Sequence, residues 1–212
     1  MSEIAEALVS AVDLADLPGA TAGFVRDLAL KVASLTKELT QTQARLDYFN
    51  RIIDEDPVAL VLNRQAFLRE GQRACLLARR HKIPVALLYL NVDGFRHINE
   101  RFGSRGGDAV LLELGQRLQT QVRNSDLVGR VGADEFGALL MHSDAAAATR
   151  KGLELAAGVA SQPISFVNER VPMSITWTVQ SFDGATPFGT MLDVAGAAIL
   201  AQRRDARTAQ AS

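Results

Sequence analysis

Residues 130–137 read Arg-Val-Gly-Ala-Asp-Glu-Phe-Gly, two acids at the tip of a short turn between apolar stretches. Upstream, Leu87-Leu-Tyr-Leu-Asn-Val-Asp-Gly-Phe95 ends an apolar run in Asn91 and Asp93. Carboxylates carried on neighbouring strand ends are natural magnesium ligands, because a hard cation takes oxygen donors. Asp93, Asp134 and Glu135 are acids at such strand ends, and Asn91 is an uncharged amide among them. Gly106-Gly107 precede Asp108, so a helix there can begin close to a ligand. Arg123-Asn-Ser-Asp126 pairs a guanidinium with a carboxylate nine residues before Gly132. Each feature has a plainer reading when taken singly. An acidic turn is often only solvated, an Asn at a strand end is often a turn residue, and Arg203 and Arg207 can complement a helix dipole.

Other chemistry is disfavoured. A net charge of -1 argues against a nucleic-acid face. Cys75 is the sole cysteine, which rules out an intrachain disulfide and a cysteine zinc cluster, and its helical setting reads as a buried, inert thiol. The three histidines, His81, His97 and His142, share no metal-ligand spacing. The longest apolar run, around 83–90, is too short to span a bilayer. The first residues are acidic and lack a basic flank, so a secretion signal is not expected and a reduced, cytoplasmic setting is.

The elements that would position these residues follow from periodicity. A short helix and a turn are expected over residues 1–20, ending at Pro18-Gly19. Leu28, Val32, Leu35, Leu39, Thr42, Leu46, Phe49 and Ile53 alternate spacings of four and three, a heptad seam with one polar interruption. It predicts a parallel coiled coil and a homodimer, against the alternative of an amphipathic helix packed on its own domain. Pro57 then biases the chain out of helix. Helices are expected over 63–80, 95–102, 109–122, 145–160 and 191–204. A strand buried on both faces is expected over 84–92. Strand pairs are expected at 127–131 with 136–141, and at 164–167 with 171–179. Alternating helices and strands with hairpins predict an α/β (α+β) fold with a mixed sheet. The expected division is 1–22, a short helical segment; 23–54, the coiled coil; and 55–212, the main domain.

In order and spacing, the motifs over about 55–208 resemble the GGDEF family, the diguanylate cyclases and their relatives in cyclic di-GMP signalling. The resemblance implies a ferredoxin-like palm with a central antiparallel hairpin. It implies GTP as substrate, one molecule held by each subunit of a dimer, and magnesium held by an acid at position 91 and by Asp134. Here the first of those positions is Asn91, with Asp93 retaining the second acid, and the motif reads GADEF, with Ala133 where the family has glycine after Gly132. A methyl at 133 would either strain a left-handed turn, by ~1–2 kcal/mol, or push into ligand space. Asn99 and Asp108 match the family's guanine-reading residues. Arg203 and Arg207 match its phosphate-contacting lysine and arginine. Asp56-Pro-Val-Ala-Leu-Val-Leu-Asn-Arg64 matches the ends of an early family signature. Arg123 and Asp126 match its RxxD inhibitory site, where an arginine fork can pair with guanine O6 and N7.

Three functions follow as expectations. The first is a degenerate relative with little or no turnover that binds cyclic di-GMP at Arg123 and Asp126, and GTP without reaction. The second is an active cyclase using Asp134 and Glu135, with product inhibition. The third is a nucleotide-independent interaction module docking a protein through its N-terminal segment.

Overall fold

A computed structural model describes residues 18–167 and 169–210. The helix expected over the first residues lies outside them. The chain divides into two units, 1–53 and 54–212. In the first, α1 (Gly19–Asp54) is one 36-residue helix. Of its heptad seam, Leu28, Leu35 and Leu39 are 53%, 56% and 59% exposed, so these apolar positions lie open to solvent. The polar interruption Thr42 needs no outside partner, since its hydroxyl donates to the Glu38 carbonyl one turn back at 2.8 Å. The side chains of Leu46 and Phe49 lie outside the described residues.

The second unit begins with α2 (Arg64–His81), started by Asn63, whose side chain accepts from the Ala66 N–H. Then follow β1 (Val85–Val92), α3 (Phe95–Gln121), β2 (Leu127–Arg130), β3 (Glu135–Met141) and α4 (Ala145–Ser161). A small hairpin, β4 (Ile164–Phe166) and β5 (Glu169–Val171), precedes β6 (Ile175–Ser181) and α5 (Phe188–Gln210). Helix α3 breaks at Gly103 (φ 70°, ψ 178°), which leaves two helical segments. The strand expected over 171–179 is divided. Pro172 carries no N–H for a ladder, and β5 ends just before it.

The main sheet runs β2-β3-β1-β6 and every neighbouring pair is antiparallel. The mixed sheet expected from the alternation of elements is corrected in this respect. β1 and β2 point the same way across helix α3, but β3 lies between them. β1 in turn separates β3 from β6. These are two split βαβ units, the ferredoxin-like arrangement. Among the described residues, parallel pairing is confined to one bridge, Leu62 beside Gly129.

Helices cover both faces of this sheet. Ala86, Leu88, Leu90 and Val92 face α3 and α4, among Val110, Leu111, Leu114, Ala148 and Leu155. Leu87 and Tyr89 face α2 and α5, among Phe67, Phe188, Met191 and Ile199. That double cover is why β1 reads as an unbroken apolar run. Each fully buried leucine contributes about 1.5–3 kcal/mol. Phe67 sits over a pair of facing glycines, Gly129 and Gly137, which are register partners on β2 and β3. A Cβ on Gly129 would fall 2.5 Å from the Phe67 ring and 2.6 Å from its Cβ. Neither of those atoms is the far end of a flexible chain. Gly129→Ala should therefore cost about 1–3 kcal/mol by overpacking, and Phe67→Leu in the same chain should not recover it, because leucine keeps both the Cβ and the Cγ that the new methyl meets. Urea unfolding of the three variants checks this.

Candidate functional site

The acidic turn joins β2 to β3. The N–H groups of Val131 and Gly132 both donate to the Glu135 carbonyl, at 2.8 and 3.3 Å. The Val92 N–H donates to the Asp134 carbonyl at 2.9 Å, which stitches the turn to the end of β1. Register then sets Asn91 opposite Glu135 on one side and Thr176 on the other.

Two arginines hold the turn's carbonyls. Arg64 donates to Val131 O at 2.7 Å. Arg130 donates to Gly132 O at 3.1 Å and to Ala133 O at 2.6 Å. The same guanidinium grips both oxygens of Asp56, at 3.1 and 3.2 Å. Asp56 also accepts from the N–H groups of Val58 and Ala59. The early segment 56–64 is thus a brace for the acidic turn. Sequence reasoning passed over Arg130. The signal available was an arginine two residues before Gly132 at the end of a strand.

Glycine at 132 has a steric cause, since a Cβ there would land 2.1 Å from Glu135 Oε2. Ala133 is not among the residues with positive φ, so its methyl causes no left-handed strain. Of the two effects expected of this substitution, only intrusion into the adjoining space remains. Burial, and then the neighbouring Glu135 carboxylate, push the Tyr89 hydroxyl well above its ordinary pKa. Tyr89 therefore stays protonated behind the turn.

Asn91 is a buried polar residue, 2% exposed, and its Oδ1 accepts from Arg203 Nη1 at 2.5 Å. The same nitrogen lies 3.8 Å from Asp134 Oδ2. Asp93 turns toward β6, where it accepts from the hydroxyls of Thr176 at 2.6 Å and Ser174 at 2.9 Å. An open groove of about 510 Å³ is lined by Phe95, Arg96, Asn99, Glu100, Ala133 and Asp134. Gly107 makes room for Asn99, as a Cβ there would meet Asn99 Oδ1 at 2.0 Å. Asp108 is exposed on the next residue and is not among the groove's lining residues. The Arg207 side chain lies outside the described residues.

Arg123 and Asp126 come together beyond the end of α3. Both line two surface pockets, of about 340 and 190 Å³. Asp126 accepts from the N–H groups of Arg123 and Met141, each at 2.9 Å, which fixes its carboxylate and leaves lone pairs free. Arg123 is exposed.

The family model described as "Diguanylate cyclase, GGDEF domain" matches residues 53–208. This chain belongs to the GGDEF family. The diguanylate cyclase TpbB of Pseudomonas aeruginosa is 38% identical over 111 residues, 50% of this chain and 26% of TpbB. The diguanylate cyclase DosC of Escherichia coli is 25% identical over 184 residues, 86% of this chain and 39% of DosC. This GGDEF chain thus spans well under half the length of either. Among solved structures, the coiled coil and GGDEF domain of DgcB from Caulobacter crescentus, in complex with c-di-GMP, superposes with TM-score 0.74 at 20% identity. That match covers 84% of this chain and 95% of that one. Diguanylate cyclase SiaD of Pseudomonas aeruginosa, in complex with its activator SiaC, gives TM-score 0.67 at 23% identity, covering 94% and 84%. These two likenesses concern the fold. Among the described residues of this GGDEF chain no helix is long and apolar enough to cross a membrane.

The brace predicts its own consequence. Arg130→Met should leave Asp56 and two turn carbonyls short of a charged donor and destabilise the domain by about 1.5–3 kcal/mol. Asp56→Asn, which keeps an acceptor, should cost less. Denaturant midpoints compare them.

Proposed function

We propose that this GGDEF domain turns over GTP slowly or not at all and serves as a cytoplasmic receptor for cyclic di-GMP, bound at Arg123 and Asp126. The contact that carries the first half is Arg203 on Asn91. Magnesium needs oxygen donors free to face it. The Asn91 oxygen accepts from a guanidinium, and each Asp93 oxygen accepts from one hydroxyl, so a metal here would share oxygens that are already hydrogen-bonded. Asp134 remains, with the same guanidinium 3.8 Å away. A divalent ion about 4 Å from that charge meets a repulsion of roughly 8 kcal/mol at an effective dielectric of about 20, twice the value for two unit charges, which offsets part of the attraction of Asp134. One carboxylate, one amide and a guanidinium in their midst make a poor donor set for a resident magnesium ion.

The second half is supported by Asp126, held by two backbone N–H groups, and by the exposed Arg123, which lines the same two pockets. An arginine fork and an acceptor carboxylate suit the edge of guanine. The exposed seam of α1 supports a homodimer through a parallel coiled coil. The N-terminal segment is then the place for a protein partner.

A second reading, an active cyclase with product inhibition, is favoured by Ala133. Its backbone is unstrained, and Asp134 and Asn99 keep their places by the groove, with Glu135 next in the chain. Incubating nucleotide-stripped protein with labelled GTP and magnesium or manganese separates the two. The receptor reading expects no labelled cyclic di-GMP, and its appearance at a steady rate would overturn that half.

Arg123→Ala should weaken cyclic di-GMP binding by about tenfold to a hundredfold, the value of one bidentate guanine contact. Unchanged affinity by calorimetry would remove the receptor role. Sedimentation at micromolar protein should give a dimer for the parent and a monomer for Leu35→Lys with Leu39→Lys.

A further inference from the structure

We infer that Arg203 is the built-in cation of this site, so that the groove takes a guanine nucleoside triphosphate without a divalent metal ion. The inference rests on the reading of the groove as a nucleotide site and deepens it.

Charge and geometry lead to the same place. Asn91 is neutral, Asp134 carries one negative charge and Arg203 one positive, so the trio balances before any ligand arrives. A carboxylate at 91 would leave an excess negative charge at a nearly inaccessible position, and a charge buried that deeply requires a counter-ion. With an amide at 91 the requirement disappears. Asn91 Oδ1 already accepts from the guanidinium, and a metal on the same oxygen would lie close to that positive charge.

Arginine suits this duty better than lysine would. Its fork is planar, permanently charged and carries five N–H donors. Nη1 is directed at Asn91 and Asp134. Nε and Nη2 engage no other described residue, so their three N–H groups are left for phosphate oxygens. The side chain is 27% exposed. It is not among the groove's lining residues and adjoins that space through Asp134. Asp134 also lines the groove, so it touches both the cation and the space where the nucleotide would lie. Asp93 does not compete, because two hydroxyls hold it toward β6.

The probe is α,β-methylene GTP, which cannot be joined at its α-phosphate, titrated calorimetrically into the full chain in excess EDTA and in millimolar magnesium. The parent should bind under both conditions with affinities within about threefold of each other. Arg203→Gln should lose about tenfold or more in EDTA while cyclic di-GMP affinity is kept, which shows a folded domain. Asn91→Asp with Arg203→Lys should bind weakly in EDTA and recover with magnesium. A tenfold or greater gain of the parent with magnesium would overturn the inference, as would an Arg203→Gln variant that binds like the parent in EDTA. Absence of binding under both conditions overturns it too, yet leaves the Arg123 and Asp126 site standing if cyclic di-GMP still binds. Steady cyclase turnover would remove the low-turnover reading, while the ratio of affinities with and without magnesium judges the cation separately.

Discussion

The antiparallel pairing of β1 between β3 and β6 is the constraint on which the rest depends. Both faces of β1 are covered by helices, so every side chain along it is buried. A slip of one residue would exchange the two faces and set the leucines of one core among the packing partners of the other. The register is therefore held along the whole strand, and its last residues inherit that precision without needing it for packing. Asn91 comes to rest between Glu135 and Thr176 because Leu87, Leu88 and Leu90 fit where they do. The Val92 N–H extends the ladder by one bond into the acidic turn.

A turn rich in acids and small residues has little apolar surface to hold it. Its order comes from charge-assisted hydrogen bonds, which are roughly twice as strong as neutral ones. Arg64 and Arg130 take three successive carbonyls, and Asp56 anchors Arg130 from the far side. The position of the acids is thus tied to a segment more than seventy residues earlier in the chain. That segment lies at the start of the second unit, with Asn63 and Arg64 opening α2. The brace and the sheet approach the turn from two directions and leave Asp134 facing the groove.

The elements legible in the sequence were those dictated by local period or local chemistry. The seam of α1, the doubly buried β1, the Asn63 start of α2 and the glycine break near 103 all follow from residues within a few positions of one another. The sheet's direction was not legible in the same way. Alternation of helices and strands tells which strands run parallel but not that a third strand is inserted between them. Pro172 was a visible signal that the strand over 171–179 divides. Within the site, Asn91, Asp93, Asp134 and Arg203 were each picked out as ligands of something absent. Their engagement with one another was hidden, because Arg203 reaches Asn91 across 112 positions and Asp93 reaches Thr176 across 83. No periodicity encodes such contacts. The strain considered for Ala133 depended on one backbone angle, and composition is silent on backbone angles.

Positions 133 and 91 differ in kind. Where the resemblance implies a glycine at 133, alanine sits in a backbone that it adopts freely, so what it affects is the shape of the groove wall. Where the resemblance implies a carboxylate at 91, a buried amide leaves the surroundings a different charge to balance. Arg203 meets that amide directly. Its guanidinium gives the amide oxygen a donor and sets a positive charge beside Asp134 in one contact. A carboxylate would hold the same guanidinium still more tightly, so Asn91 also leaves Arg203 freer to turn its unused N–H groups toward an incoming anion. In the proposed reading the amide weakens the claim of a metal on this site and strengthens that of a phosphate, and both effects arise from one charge fewer at position 91.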